Sequence, residues 1–169
     1  MKTLYILRHG KAERDSDSGE DFDRSLAKRG WRDAEAVGRE MRSRGLEPDA
    51  VLSSPARRAA ETVEALANGY GKLQPAFDPE IYNAPASRLL EIVKGADAAA
   101  RRLLIVGHNP GFEDLAMLLD DGEADYADRI ADGLPTAGLV VLDLDVDRWN
   151  EVGNGAGRIA AVIVPKDLR

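Results

Sequence analysis

The chain of 169 residues contains no cysteine and only two histidines. The first absence excludes disulfides, a thiolate nucleophile and cysteine-ligated zinc. No apolar run approaches the ~20 residues of a membrane span. The apolar stretch near the start is interrupted at once by Arg8 and His9, unlike a signal peptide. Basic residues are in deficit, 23 against 30 acidic ones, for a net charge of −7. That balance argues against a broad nucleic-acid face, although it leaves room for a small positive pocket. Neither an internal repeat nor a linker divides the sequence, and its length suits one domain, residues 1–169. With 44% apolar and 31% charged residues, the expectation is a cytoplasmic enzyme or binding protein that engages neither nucleic acid nor membrane.

What is present is a regular alternation. Thr3–Leu7, Ala50–Ser53, Leu103–Val106, Leu139–Leu144 and Ile159–Val164 are short apolar runs of the kind that form buried strands. Between them, Lys28–Arg44 carries Trp31, Ala34, Val37 and Met41 at helical spacing, with Gly45 placed to stop the helix. Pro55–Ala67, Ala86–Val93 and Pro110–Leu119 are further helical stretches, the last with proline suited to a first turn. The alternation predicts an α/β fold: a three-layer sandwich with a mainly parallel central sheet and helices on both faces. Asp145–Gly157 is too short for a crossover helix, so the last two strands are expected to form a hairpin and supply one antiparallel edge strand. The acidic stretch Asp15–Asp23 reads as a solvated loop. The run GNGAG neither follows a strand nor opens a helix, and there is no GxxxxGK phosphate loop.

Each histidine closes an apolar run where the chain turns: His9 in LYILRHG and His108 in LLIVGHNPG. In open α/β sheets, ligands bind outside the carboxyl ends of the strands, so the two imidazoles can converge on one pocket. Arg8, Lys11 and Asn109 surround them rather than carboxylates, a poor setting for a metal. No GxSxG elbow indicates a serine hydrolase. Arginine beside histidine suggests phosphoryl chemistry, because guanidinium groups grip phosphoryl oxygens and histidine can be a covalent nucleophile. In SSPARRAAET, residues 53–62, two arginines lie early in a helix, where the dipole disfavours them. A bound anion would account for that placement, and a solvated arginine pair is the alternative.

The motifs LRHG, SSPARRAAET, VGHNPG and LPTAGL, in this order, resemble those of the histidine phosphatase superfamily. The segment DFDRSLAKRG is similar to that of its short bacterial phosphohistidine phosphatase group, the SixA type. The resemblance runs from Leu4 to about Leu142. It implies that His9 is the nucleophile, that Arg8 and Arg58 hold the phosphate, and that His108 donates a hydrogen bond to the phosphoryl oxygens. Gly10 and Gly107 would let the backbone approach the substrate closely. Glu80 is the candidate general acid, with Asp21 and Asp23 as weaker ones. No metal or other cofactor is implied. The expected reaction is metal-independent hydrolysis through a phosphohistidine on His9, acting on a phosphorylated protein such as a histidine phosphotransfer domain. A small phosphorylated metabolite, a sugar phosphate or nucleotide, is the alternative, followed by a non-catalytic phosphate-binding module. A mutase is disfavoured because the chain lacks length for an enclosed pocket.

Overall fold

The computed structural model describes residues 1–123, 125 and 127–169. Six strands form one sheet: β1 (Lys2–Arg8), β2 (Ala50–Ser53), β3 (Pro75–Phe77), β4 (Arg102–Gly107), β5 (Leu139–Leu144) and β6 (Gly157–Ile163). Their spatial order is β3-β2-β4-β1-β5-β6. The first four are mutually parallel, β5 runs antiparallel to β1, and β6 pairs antiparallel with β5 at the edge. The expected hairpin is therefore present, with the reversed strand one place in from the edge. Its connection holds a single 3-10 turn, Trp149–Glu151.

The five expected strands and four expected helices all form. The helices are α1 (Lys28–Ser43), α2 (Arg57–Tyr70), α3 (Ala86–Lys94) and α4 (Gly111–Leu119). Two elements were not anticipated. Strand β3 is three residues long, begins with proline and is largely exposed, so it carries no buried apolar run. Helix α5 (Ala127–Ala131) is a single short turn.

Strand side chains alternate between faces, and the core divides accordingly. Leu4 and Ile6 of β1, with Leu103 and Ile105 of β4, pack among Leu89, Val93, Phe112 and Leu115 of α3 and α4. Tyr5 and Leu7, with Leu104 and Val106, pack against Val37, Met41, Val63 and Leu66 of α1 and α2. Helices thus cover both faces. The connection after β1 runs over one face and that after β4 over the other, while the two strands lie side by side. This is a switch point in an α/β sheet, where a crevice opens at the carboxyl ends.

Candidate active site

The register of β1 and β4 sets the site. Leu7 lies opposite Val106 and Arg8 opposite Gly107, so the next step places His9 beside His108. A backbone bond from His9 N–H to the Gly107 carbonyl, 2.9 Å, continues the ladder past the strand ends. By alternation both histidines fall on the α1/α2 side, and Arg8 falls on the α3/α4 side. The two imidazole centroids are 5.2 Å apart at 54°.

The His9 ring is fixed at both nitrogens. Nδ1 lies 2.7 Å from the Gly10 carbonyl, which can only accept, so Nδ1 carries the hydrogen. That leaves Nε2 unprotonated, its lone pair accepting the Arg58 Nε–H at 3.4 Å. Burial lowers the His9 pKa to about 4; the Gly10 carbonyl opposes the shift, and the nearby charges of Arg58, Arg8 and Arg24 add to it. At neutral pH the His9 ring is unprotonated, with Nε2 oriented towards Arg58.

His108 is also buried and held neutral, its pKa lowered to about 3 by burial first and then by His9 and Arg58. Its Nε2 is 2.8 Å from the Ser54 hydroxyl. That hydroxyl oxygen also accepts the Ala56 N–H at 3.2 Å, and its second lone pair and its hydrogen let it accept from or donate to the imidazole. Where Ser54 donates, the ring hydrogen sits on Nδ1, a buried atom without a partner among the described residues. Arg8 Nε is likewise buried and unpartnered. Two such donors at one crevice are costly unless an acceptor arrives there.

Each arginine is anchored by one part of its guanidinium. Arg8 donates through Nη1 to the Leu134 carbonyl at 2.8 Å. The same carbonyl accepts from Asn109 Nδ2, and Glu113 Oε2 accepts from Asn109 Nδ2 and from Leu134 N–H. Burial lowers the Arg8 pKa, and the Glu113 carboxylate opposes that shift. Arg58, buried on α2, donates through Nη1 to the Asp21 carbonyl at 2.8 Å and through Nη2 to Asp21 Oδ2 at 3.0 Å. Asp21 also accepts from Tyr82 Oη at 2.6 Å and Arg24 Nη1 at 2.8 Å. The Tyr82 hydrogen bond, with those from Arg24 and Arg58, holds its carboxyl well below the usual carboxylate range. The acidic loop is therefore not simply solvated: Asp21 reaches back and braces Arg58.

The structure brings together His9, Arg8, Arg58 and His108. It does not bring Glu80 to them. Glu80 pairs with Arg88, and both line a separate cleft of about 730 Å³ together with Asp49, Gln74 and Glu91. Gly10 and Gly107 adjoin the site, but a protein neighbour occupies the space beside each. A Cβ on Gly10 would come within 2.9 Å of the Gly30 carbonyl oxygen, and one on Gly107 within 2.6 Å of the Phe112 ring. These close approaches pack the turn against α1 and the strand end against α4. The sequence reading missed Ser54, Tyr82 and Glu113. Only Ser54 left a signal, as the residue after β2 in a motif already singled out. Among the described residues, no group of three or more histidines and carboxylates could hold a metal ion.

The profile of the histidine phosphatase superfamily (branch 1) matches residues 4–84. An uncharacterized protein of Mycobacterium tuberculosis is 32% identical over 163 residues, covering 95% of this chain and 100% of its own length. A crystal structure from Agrobacterium tumefaciens, provisionally assigned as the phosphohistidine phosphatase SixA, superposes with a TM-score of 0.82 at 29% identity. It covers 97% of this chain and 98% of that one. The tungstate complex of the protein histidine phosphatase SixA shares the fold, with a TM-score of 0.80 at 21% identity over 99% of each chain. Fold, site and relatives together define a phosphatase. The chain belongs to the histidine phosphatase superfamily and is of the SixA type.

Proposed function

We propose that residues 1–169 form one histidine phosphatase domain that dephosphorylates phosphohistidine displayed on a protein, by way of a covalent phosphohistidine on His9. The observation that carries this reading is the His9 ring. Its unprotonated Nε2 accepts from the Arg58 Nε–H, and at the same strand ends Arg8 Nε and His108 Nδ1 are buried without partners among the described residues. In the first step Nε2 attacks phosphorus in line, the bond to the leaving group breaks, and its electrons go to the leaving atom. Arg8, Arg58 and the His108 Nδ1–H stabilise the equatorial oxygens, where phosphoryl transfer concentrates charge. Water then attacks the phosphoenzyme, the bond from phosphorus to Nε2 breaks, and phosphate and neutral His9 are regenerated. The two guanidinium groups supply the positive charge and the neutral His108 ring a hydrogen bond, without a metal step.

The substrate follows from proton supply. The carboxylate nearest the arginines, Asp21, is held ionised by three donors, and Glu80 is engaged with Arg88. An alkoxide leaving group needs a proton from an acid at the breaking bond. A phosphoimidazole protonated on its other ring nitrogen leaves as neutral imidazole and needs none. This supports a protein phosphohistidine over a small phosphomonoester. The test is kcat/KM for a phosphohistidine-bearing phosphotransfer domain against a panel of sugar phosphates and nucleotides. A clear preference for the protein is expected; preference for a small ester overturns the substrate, and hydrolysis of nothing in the panel overturns catalysis.

A further inference from the structure

We propose that Phe22 and Tyr82 form an aromatic wall that receives the leaving group and selects for a flat heteroaromatic one. The proposal deepens the reading above and rests on its in-line geometry. His9 and Tyr82 flank the same two groups. The His108 ring is 5.2 Å from His9 and 5.4 Å from Tyr82, centroid to centroid. Arg58 meets His9 through Nε at 3.4 Å and lies over the Tyr82 ring at 6.0 Å. In the proposed pose, a phosphoryl group gripped by Arg58 and His108 in front of His9 has Tyr82 on its other flank. In-line displacement sends the leaving group away from the nucleophile, towards that flank.

The wall is built rather than incidental. Phe22, on the acidic loop, meets Tyr82 edge to face, with centroids 5.1 Å apart at 88°. The Tyr82 hydroxyl is tied to Asp21, the same carboxylate that braces Arg58. Ring position and phosphate grip are thus set by one residue. Phe22 remains 38% exposed, an apolar ring presented to solvent beside a cluster of charge. An imidazole ring fits such a surface through stacked or edge-on contact, whereas a sugar or glycerol group gains little from it. One aromatic contact of this kind corresponds to roughly three- to tenfold in an equilibrium or rate ratio.

The experiment compares kcat/KM for phosphoimidazole and phenyl phosphate with that for glycerol phosphate, in the wild type, Phe22→Leu, Tyr82→Leu and Tyr82→Phe. The expected result is a three- to tenfold fall in the ratio of aromatic to aliphatic substrate for each leucine variant. Tyr82→Phe keeps the ring and should retain the ratio, even where its absolute rates fall with the lost Asp21 contact. Equal losses on all three substrates would mean the rings only support the fold or Arg58, and unchanged ratios would mean they touch no leaving group; either overturns the wall. The outcome is separable from the substrate reading. If the leucine variants shift the phenyl phosphate ratio while a phosphohistidine protein is no substrate, the wall stands and the substrate fails.

Discussion

Strand β1 has a cation on the same face at each end, and the two are treated in opposite ways. At the start, Lys2 is buried, with Nζ donating to the Ala100 carbonyl at 2.8 Å and the Ala98 carbonyl at 3.3 Å. It also lies 5.5 Å from the centre of the Trp149 ring. At the finish, Arg8 has one carbonyl partner and a buried Nε with none among the described residues, as has His108 Nδ1 at the end of the neighbouring strand. A buried charge satisfied by its own protein fixes structure. One left with a spare donor is costly to the fold and is explained by a visiting anion. Both are cations, Lys2 buried and Arg8 half-buried, and what sets their roles apart is the count of partners.

The sharpest way to break this contrast is to remove each charge in turn. Arg8→Met should lower kcat/KM by roughly 10²–10³-fold, the usual loss for one transition-state donor. Its unfolding midpoint should stay or rise, because a partly unpartnered buried charge has been removed. Lys2→Met should do the reverse: activity within about twofold, and a loss of ~1–3 kcal/mol from two carbonyls deprived of a donor. Paired thermal unfolding and kinetics decide it. Similar effects of both substitutions on both readouts would erase the distinction.

A smaller effect appears in the pH dependence of stability. The folded pKa values of His9 and His108 are lowered to about 4 and about 3, from an ordinary value of 6.5. Between those limits the unfolded chain binds more protons than the folded one, so stability falls as pH is lowered from about 6.5. Each ring contributes up to about 1.4 kcal/mol per pH unit. Replacing both histidines by asparagine should flatten the unfolding midpoint between pH 6.5 and 4. An unchanged slope would show that the two rings are not buried as neutral groups. The smallest effect is expected outside the site. Glu80→Gln should leave kcat within about twofold and should not move the acid or alkaline limb of its pH profile. A loss of tenfold or more would restore Glu80 as the general acid.

These contrasts also mark what the sequence could and could not reveal. Buried parallel strands and amphipathic helices write their burial into short apolar runs, so β1, β2, β4, α1 and α3 were legible within a residue or so at each end. Strand β3 pairs with β2 through only three residues and buries almost nothing, which leaves no hydrophobic imprint. The histidines were legible because they are scarce and terminate strands. The resemblance implied their division of labour; the contacts that hold the two rings, the Gly10 carbonyl and the Ser54 hydroxyl 54 residues from His108, left no local pattern. Asp21 was visible as one charge in an acidic loop and as a weaker candidate for the acid. That it braces Arg58 across 37 positions of chain is a property of packing, beyond any local pattern. Glu80 shows the converse: its place in the order suggested an acid, and a neighbouring arginine claims it.

The central claim is that His9 carries the phosphoryl group between substrate and water. Rapid quenching into alkali during turnover of a radiolabelled phosphohistidine protein, followed by peptide mapping, tests it directly. The account predicts alkali-stable, acid-labile label on His9 alone, absent from His9→Ala along with turnover. Label on another residue, or turnover by His9→Ala at a rate near that of the wild type, would contradict it.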